Sequence, residues 1–282
     1  MPQTARKREH LDRTVREKPE YREILSLFQG LFAYIDGREG ETGISFSLPD
    51  RFEAERIEGG LPLLAPESLS IDRERAASFL DGIVGVMRGV NRDPLGGEEL
   101  DRIGQALKEN SLDLAPLLSA CLQRERKCVE EASAAISVRP PLLTFILEVS
   151  LKTALSVAAE SVDPKAVEGW KEGYCPVCGS RAGMDELAGE EGKRLLSCSA
   201  CSFRWAFPRL KCPFCGNQDP ESLSYFVAGD EPVRVGVCRK CTRYIKTRDS
   251  RKGNGDVPLE AEDLSTLHLD LLAGKEGFEK GR

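Results

Sequence analysis

Four Cys-x-x-Cys pairs crowd the last third of the chain, at Cys175/Cys178, Cys198/Cys201, Cys212/Cys215 and Cys238/Cys241. Eight of the ten cysteines therefore fall within fewer than seventy residues. Thiols at this density and spacing point to two tetrathiolate metal sites, each on a small β-rich knuckle. A fold built around them must bring distant pairs together, so this stretch constrains the architecture more than any other.

The local sequence supports knuckles. Cys175-Pro-Val-Cys-Gly-Ser and Cys212-Pro-Phe-Cys-Gly-Asn are near copies of one pattern. Two thiolates offered from a tight turn bind one ion while backbone N–H groups point at the sulfurs. Proline fixes the turn, and glycine after the second cysteine permits a left-handed backbone. Each copy is followed, after 19 residues (179–197) and 22 residues (216–237), by a second Cys-x-x-Cys, which is ribbon spacing. Sequential pairing puts Cys175, Cys178, Cys198 and Cys201 in one site and Cys212, Cys215, Cys238 and Cys241 in the other. Nested or crossed pairings must close at least one longer loop. A redox-active Cys-x-x-Cys competes for any single pair, but four pairs satisfy two ions with nothing left over. Tetrahedral sulfur suits zinc and a single rubredoxin-like iron equally. With four thiolates and no open position, neither site favours metal-centred hydrolysis.

Ahead of the cysteines the pattern is helical. Residues 1–20 are polar, with fraying expected. Ile24, Leu25, Phe28, Leu31 and Phe32 recur at helical spacing in residues 21–35. Leu61-Pro-Leu-Leu-Ala-Pro reads as loop. A helix follows Asp72, with Ala76, Phe79, Leu80, Ile83, Val84 and Met87 on one face, and Gly96-Gly97 ends the pattern before a short helix over 100–107. Residues 114–136 read as one longer helix carrying Cys121 and Cys128 two turns apart, as small buried groups rather than a redox pair. Pro140-Pro141 stops it, and 142–159 forms a central helix. Asp163-Pro164 caps a short helix that carries Val167 and Trp170 toward the ribbons. Beyond them, strands are expected over 194–198, 203–207, 223–227, 233–237 and 244–247. Phe203, Trp205 and Phe207 share one strand face and read as ribbon core in preference to an RNA-stacking platform. A polar linker over 249–257 precedes a closing helix over 258–278 striped with Leu264, Leu267, Leu271 and Leu272. His10 and His268 are assigned no ligand role.

Charge is uneven. Residues 193–252 hold thirteen Lys and Arg against five Asp and Glu, a net of +8 within a chain of net −6, so the remainder carries −14. Basic ribbons invite nucleic acid. Two four-thiolate zinc sites, at about −2 each, would offset roughly half of that excess locally. The N-terminus lacks an apolar run, and the most apolar segment, 142–160, carries Glu148 and Lys152. No secretory signal or membrane span is expected, and the expected compartment is the cytoplasm, where clustered thiols serve as ligands.

The run Gly173-Tyr-Cys-Pro-Val-Cys-Gly-Ser, then Arg194-Leu-Leu-Ser-Cys-Ser-Ala-Cys, Trp205, Lys211-Cys-Pro-Phe-Cys-Gly and Cys238-Arg-Lys-Cys-Thr-Arg-Tyr-Ile-Lys-Thr, resembles the FdhE family of formate dehydrogenase accessory proteins. The tail Asp263-Leu-Ser-Thr-Leu-His-Leu-Asp-Leu-Leu-Ala is similar to that family's closing segment, so the resemblance covers residues 173–272. It implies a cytoplasmic maturation factor or chaperone and not an enzyme, with rubredoxin-like sites associated with iron, that binds the catalytic subunit of respiratory formate dehydrogenase before export. All eight cysteine positions match, so the resemblance carries the ligand roles over to each.

The expected fold class is α+β multidomain: a multihelical N-terminal domain, then two small rubredoxin/zinc-ribbon-like β modules and a C-terminal helix. The expected division is 1–170 helical, 171–208 first four-cysteine module, 209–252 second module, and 253–282 linker and C-terminal helix packing back on the body. A nucleic-acid-binding zinc-ribbon protein is the alternative function, and a thiol-disulfide enzyme a third.

Overall fold

The computed structural model describes residues 3–48, 54–228, 232–252 and 257–281. In chain order the helices are α1 (Gln3–Glu17), α2 (Arg22–Ile35), α3 (Ala54–Glu58), α4 (Arg73–Val90), α5 (Pro94–Lys108), α6 (Leu114–Gln123), α7 (Arg126–Ala135), α8 (Pro140–Glu160), α9 (Leu259–Ser265) and α10 (Leu267–Lys275). The strands are β1 (Ile44–Phe46), β2 (Leu69–Ile71), β3 (Ala182–Ala188), β4 (Lys193–Cys198), β5 (Arg204–Ala206), β6 (Leu223–Phe226), β7 (Val233–Cys238), β8 (Arg243–Asp249) and β9 (Glu279–Lys280). The helix-rich part followed by cysteine-bearing β modules and C-terminal helices is the α+β arrangement expected. The chain forms two compact units. One gathers residues up to Arg8, Val15–Leu48 and Leu64–Ala158; the other gathers Glu9–Thr14, the stretch ending at Leu63, and Ala159 onward.

The first unit is a helical bundle with a two-stranded antiparallel β1–β2 pair. Asp72 caps α4, its carboxylate accepting from the Arg75 amide at 3.1 Å, and the six apolar positions expected on one face of α4 are all buried. Three expectations change. Gly96 and Gly97 do not interrupt a helix, because Asp93 accepts from the Leu95 and Gly96 amides and Pro94 starts α5 ahead of them. There the glycines occupy the first turn. The single helix expected over 114–136 is two, since Arg124 adopts φ 60° and separates α6 from α7. Cys121 and Cys128 thus sit on different helices. The proline pair opens α8 instead of merely preceding it, as proline suits a first turn that has no N–H to satisfy. Among the described residues, α8 alone is long and apolar enough to cross a membrane by length and composition. Its Leu143, Ile146, Leu147, Leu151 and Leu155 are nevertheless buried inside this unit.

The second unit is organised by one mixed sheet, ordered β5-β4-β3-β8-β7-β6, with β9 also on β8. Two antiparallel meanders, β3-β4-β5 and β6-β7-β8, each surround one cysteine set. A parallel pairing of β3 with β8, from Met184 opposite Lys246 to Leu187 opposite Asp249, fuses them. Strand alternation sends Val233, Val235, Val237 and Tyr244 to one face, where they pack with Leu259, Leu269 and Ala273 of α9 and α10. Ile245 and Thr247 face the other way.

The strand β3 and the break in the tail were not expected. The closing helix divides at Thr266, whose backbone (φ −123°) leaves the helical region. Its buried apolar positions are Leu259, Ala261, Leu269 and Ala273, whereas Leu271 and Leu272 of the leucine stripe are exposed. The polar N-terminal segment, expected to fray, is helical through α1. Within the second unit, His10 Nε2 lies 3.1 Å from the Glu262 carboxylate, and Thr14 shares a 2.7 Å hydroxyl–hydroxyl hydrogen bond with Ser265. Tertiary anchors there outweigh weak apolar patterning. Of the polar linker, residues 253–256 lie outside the described residues.

Candidate metal centre

Backbone turns present all eight thiols. At the first knuckle of each set the amide of the leading cysteine donates to the carbonyl five residues on: Cys175 to Ser180 at 2.7 Å, Cys212 to Asn217 at 2.8 Å. The amide of the following glycine returns to the cysteine carbonyl, Gly179 to Cys175 at 2.9 Å and Gly216 to Cys212 at 3.0 Å. The residue after the second cysteine has positive φ in all four knuckles: 71° at Gly179, 59° at Ser202, 71° at Gly216 and 53° at Thr242. Glycine adopts this freely; serine and especially β-branched threonine do not. The turn geometry is therefore held even where the sequence opposes it. Amide protons point at sulfur as well, with Val177 donating to Cys175 Sγ at 3.4 Å, and Ala200 and Cys201 to Cys198 Sγ at 3.3 and 3.4 Å.

The sulfurs gather in two groups, Cys175 with Cys178, Cys198 and Cys201, and Cys212 with Cys215, Cys238 and Cys241, the members of each lying within 4.8 Å of one another. In the first group Sγ–Sγ separations of 3.5 Å join Cys175 to Cys201 and Cys178 to Cys198. In the second, 3.7 Å joins Cys212 to Cys241 and Cys215 to Cys238. A metal–sulfur bond of about 2.3 Å in a regular tetrahedron gives an edge of about 3.8 Å. A disulfide needs about 2.05 Å. The spacing fits a central ion and no S–S bond. Burial pushes the Cys175 and Cys212 thiols above their ordinary range and the Cys241 thiol up to about 11. A cation at the centre is the charge that would favour thiolate in such surroundings. Both groups can thus hold a metal ion.

The two groups differ in access. Cys175, Cys198 and Cys201 are buried, and Leu63 donates its amide to the Pro176 carbonyl at 2.8 Å across the first knuckle. In the second group Cys215 is exposed and Cys241 half-buried. Its knuckle is held by neighbours in the same unit: Gly173 lies so close that a methyl group there would meet the Pro213 carbonyl oxygen, and the Phe214 ring covers Gly281.

Cys121 and Cys128 belong to neither group. Both are half-buried, and burial pushes the Cys121 thiol up to about 12, with Glu148 and Cys128 adding to it. That keeps it a neutral thiol, as expected of a packing cysteine. His268 is half-buried and in no cluster. Phe203, Trp205 and Phe207 are all buried, the Trp205 indole donating to the Glu172 carbonyl at 3.1 Å, so these rings are core. Much of the basic excess is used internally. Arg194 donates to Asp185 at 2.6 Å, Arg204 to Glu186 at 2.7 Å, and Arg248 lies 3.0 Å from Glu262. These carboxylates lie outside residues 193–252, so counting charge along the sequence could not find them. A buried lysine, Lys246, was also missed; only its place in the Tyr-Ile-Lys-Thr run hinted at a role.

These features define a helical protein carrying a tandem pair of zinc-ribbon-like four-cysteine modules fused into one sheet. Residues 174–209 match the family model described as FdhE, central domain, and residues 210–282 the one described as FdhE, C-terminal domain. The two matches adjoin, so residues 174–282 are similar to FdhE throughout. It is similar to "Protein FdhE homolog" of Aquifex aeolicus (strain VF5), 38% identical over 143 residues, which are 49% of this chain and 50% of that protein. It is similar also to "Protein FdhE" of Escherichia coli (strain K12 / DH10B), 31% identical over 120 residues, which are 41% of this chain and 38% of that protein. The matched stretch thus spans half or less of the length of these relatives. The crystal structure of the FdhE protein from Pseudomonas aeruginosa has the same fold, with a TM-score of 0.69 at 23% identity, covering 99% of this chain and 92% of that one.

Proposed function

We propose that this chain is an accessory protein for the assembly of formate dehydrogenase, acting in the cytoplasm on the catalytic subunit before export and catalysing no reaction itself. The observation that carries this reading is the pair of four-sulfur groups lying inside the region that matches FdhE. In this reading the eight cysteines are the ligands, in the two sets given, and each set holds one iron or zinc ion. Iron would supply one-electron exchange, and zinc a fixed cross-link. The protein's own contribution is to hold four sulfurs at tetrahedral spacing with the coordination filled. That favours recognition or electron exchange over metal-centred hydrolysis.

Affinity capture of the tagged chain from its native cells, under reducing conditions, tests this. The catalytic subunit of formate dehydrogenase is expected among the retained proteins, and its absence under both reducing and oxidising conditions counts against the proposal. Metal analysis with an absorption spectrum of anaerobically purified protein separates the ions: ferric iron in sulfur ligation is coloured, zinc is silent.

A further inference from the structure

The face of the sheet opposite α9 and α10 holds a groove of about 260 Å³ beside the second cysteine group. Its floor is apolar, formed by the buried side chains of Leu187 and Ile245 beside the bare backbone of Gly236, and its wall includes Cys212 and Cys238. Leu210 and Tyr225 stand at its rim with 68% and 62% of their surface exposed. Arg209, Lys211 and Arg234 also line it, and among the described lining residues there is no Asp or Glu. Burial of rim leucine and tyrosine on association would be favourable, and an occupant must bring the missing negative charge.

We propose that this groove docks an extended acidic polypeptide segment, whose apolar side chains enter between Leu210 and Ile245 while its carboxylates meet Arg209, Lys211 and Arg234. The assignment goes beyond the accessory role and does not depend on which protein supplies the segment. Charge complementarity selects an acidic occupant. Two observations favour polypeptide over nucleic acid. The floor is aliphatic, without an open aromatic platform, and the one exposed ring is taken: the Arg234 guanidinium lies 4.5 Å from the centre of Tyr225. Base stacking needs that ring face free. The groove's place against Cys212 and Cys238 means that an occupant covers one flank of the more exposed cysteine group.

Selection from a random peptide display library against the full, metal-loaded chain tests the proposal. Enriched sequences are expected to combine Asp or Glu with Leu, Ile or Phe. A fluorescein-labelled enriched peptide should then bind about tenfold more weakly to Arg209→Glu/Arg234→Gln, and also to Leu210→Ser, whose position is exposed and tolerates change. Circular dichroism and metal content establish that the variants are folded. Enriched peptides without acidic residues, or affinity unchanged in both variants, overturn the assignment. So does tight binding of an oligouridine probe that depends on Arg209 and Arg234 while no acidic peptide is retained, which would make the groove a nucleic-acid site.

Discussion

Lys246 Nζ lies 2.8 Å from Asp270 Oδ2, joining the centre of the sheet to α10, and the lysine side chain has no exposed surface. The same ammonium lies 2.7 Å from Asp263, Lys280 lies 2.6 Å from Asp263, and the Tyr244 hydroxyl donates to Asp270 at 2.7 Å. Two lysines and two aspartates thus form a charge-balanced cluster, with Lys246 buried and the other three half-buried, that ties β8, α9, α10 and β9 together. An isolated buried charge is strongly disfavoured, so each member depends on the rest.

Removing one member should therefore be more damaging than removing an opposed pair. Lys246→Met is expected to lose about 3–5 kcal/mol of stability, while Lys246→Met/Asp270→Leu loses less than the single variant because no uncompensated carboxylate is left at Asp270. Urea denaturation of metal-loaded protein measures both. A loss below about 1 kcal/mol for Lys246→Met would mean that water reaches the cluster and the lysine is not needed to balance it.

The same cluster sets an acid limit. Burial alone would raise the Asp263 carboxyl, but Lys246 and Lys280 outweigh it and hold the group below its ordinary value. A carboxyl with its folded pKa below the unfolded one stabilises the fold above the unfolded value and loses that contribution as pH falls through the folded value. The stability difference between the native chain and Asp263→Asn should therefore be full near pH 7 and shrink below about pH 4. Comparing the two proteins at each pH cancels the acid loss of cysteine-bound metal. A difference that stays constant down to pH 3 would place the interaction elsewhere.

The sequence showed these features unequally. The cysteine groups were legible because turn chemistry is local: Cys-Pro-x-Cys-Gly encodes both the turn and the left-handed exit at Gly179 and Gly216. The apolar face of α4 was legible because its period is regular. Strand β3 was not, since Asp185 and Glu186 at its centre look like loop residues until Arg194 and Arg204 are brought opposite them. The parallel β3–β8 seam pairs residues some sixty positions apart with no shared local signal. The tail misled for the opposite reason. Its leucines repeat at helical spacing, but the sheet buries the alternative face through Leu269 and Ala273.

Unequal access at the two cysteine groups predicts stepwise metal loss. With Cys215 exposed and Cys241 half-buried, the second group should release its ion to a chelator before the first. Alkylation followed by mass spectrometry should then modify Cys212, Cys215, Cys238 and Cys241 in an early phase, and Cys175, Cys178, Cys198 and Cys201 in a later one, separated by about tenfold in rate. Labelling of all eight in a single phase would instead mean that the fused sheet opens as one cooperative body.

Gly173 tests how the two meanders are held together. A methyl group added there would stand 1.8 Å from the Pro213 carbonyl oxygen, a backbone atom that cannot turn aside as a side chain would. Pro213 lies between Cys212 and Cys215, so a shift of Pro213 that admits the added methyl displaces the second knuckle. Gly173→Ala is expected to lose about 1–3 kcal/mol or more, in the range of overpacked interiors, and to weaken metal retention at the second group selectively. Gly274→Ala is the matched control. It lies in α10 with nothing within 4 Å of the added carbon, and alanine in a helix interior is favoured over glycine by about 0.5–1 kcal/mol. The control should therefore be neutral or slightly stabilising, with both ions retained. Denaturation curves together with metal content per chain decide the matter: equal behaviour of the two variants would mean that the approach of Gly173 to Pro213 can relax without moving the sulfurs.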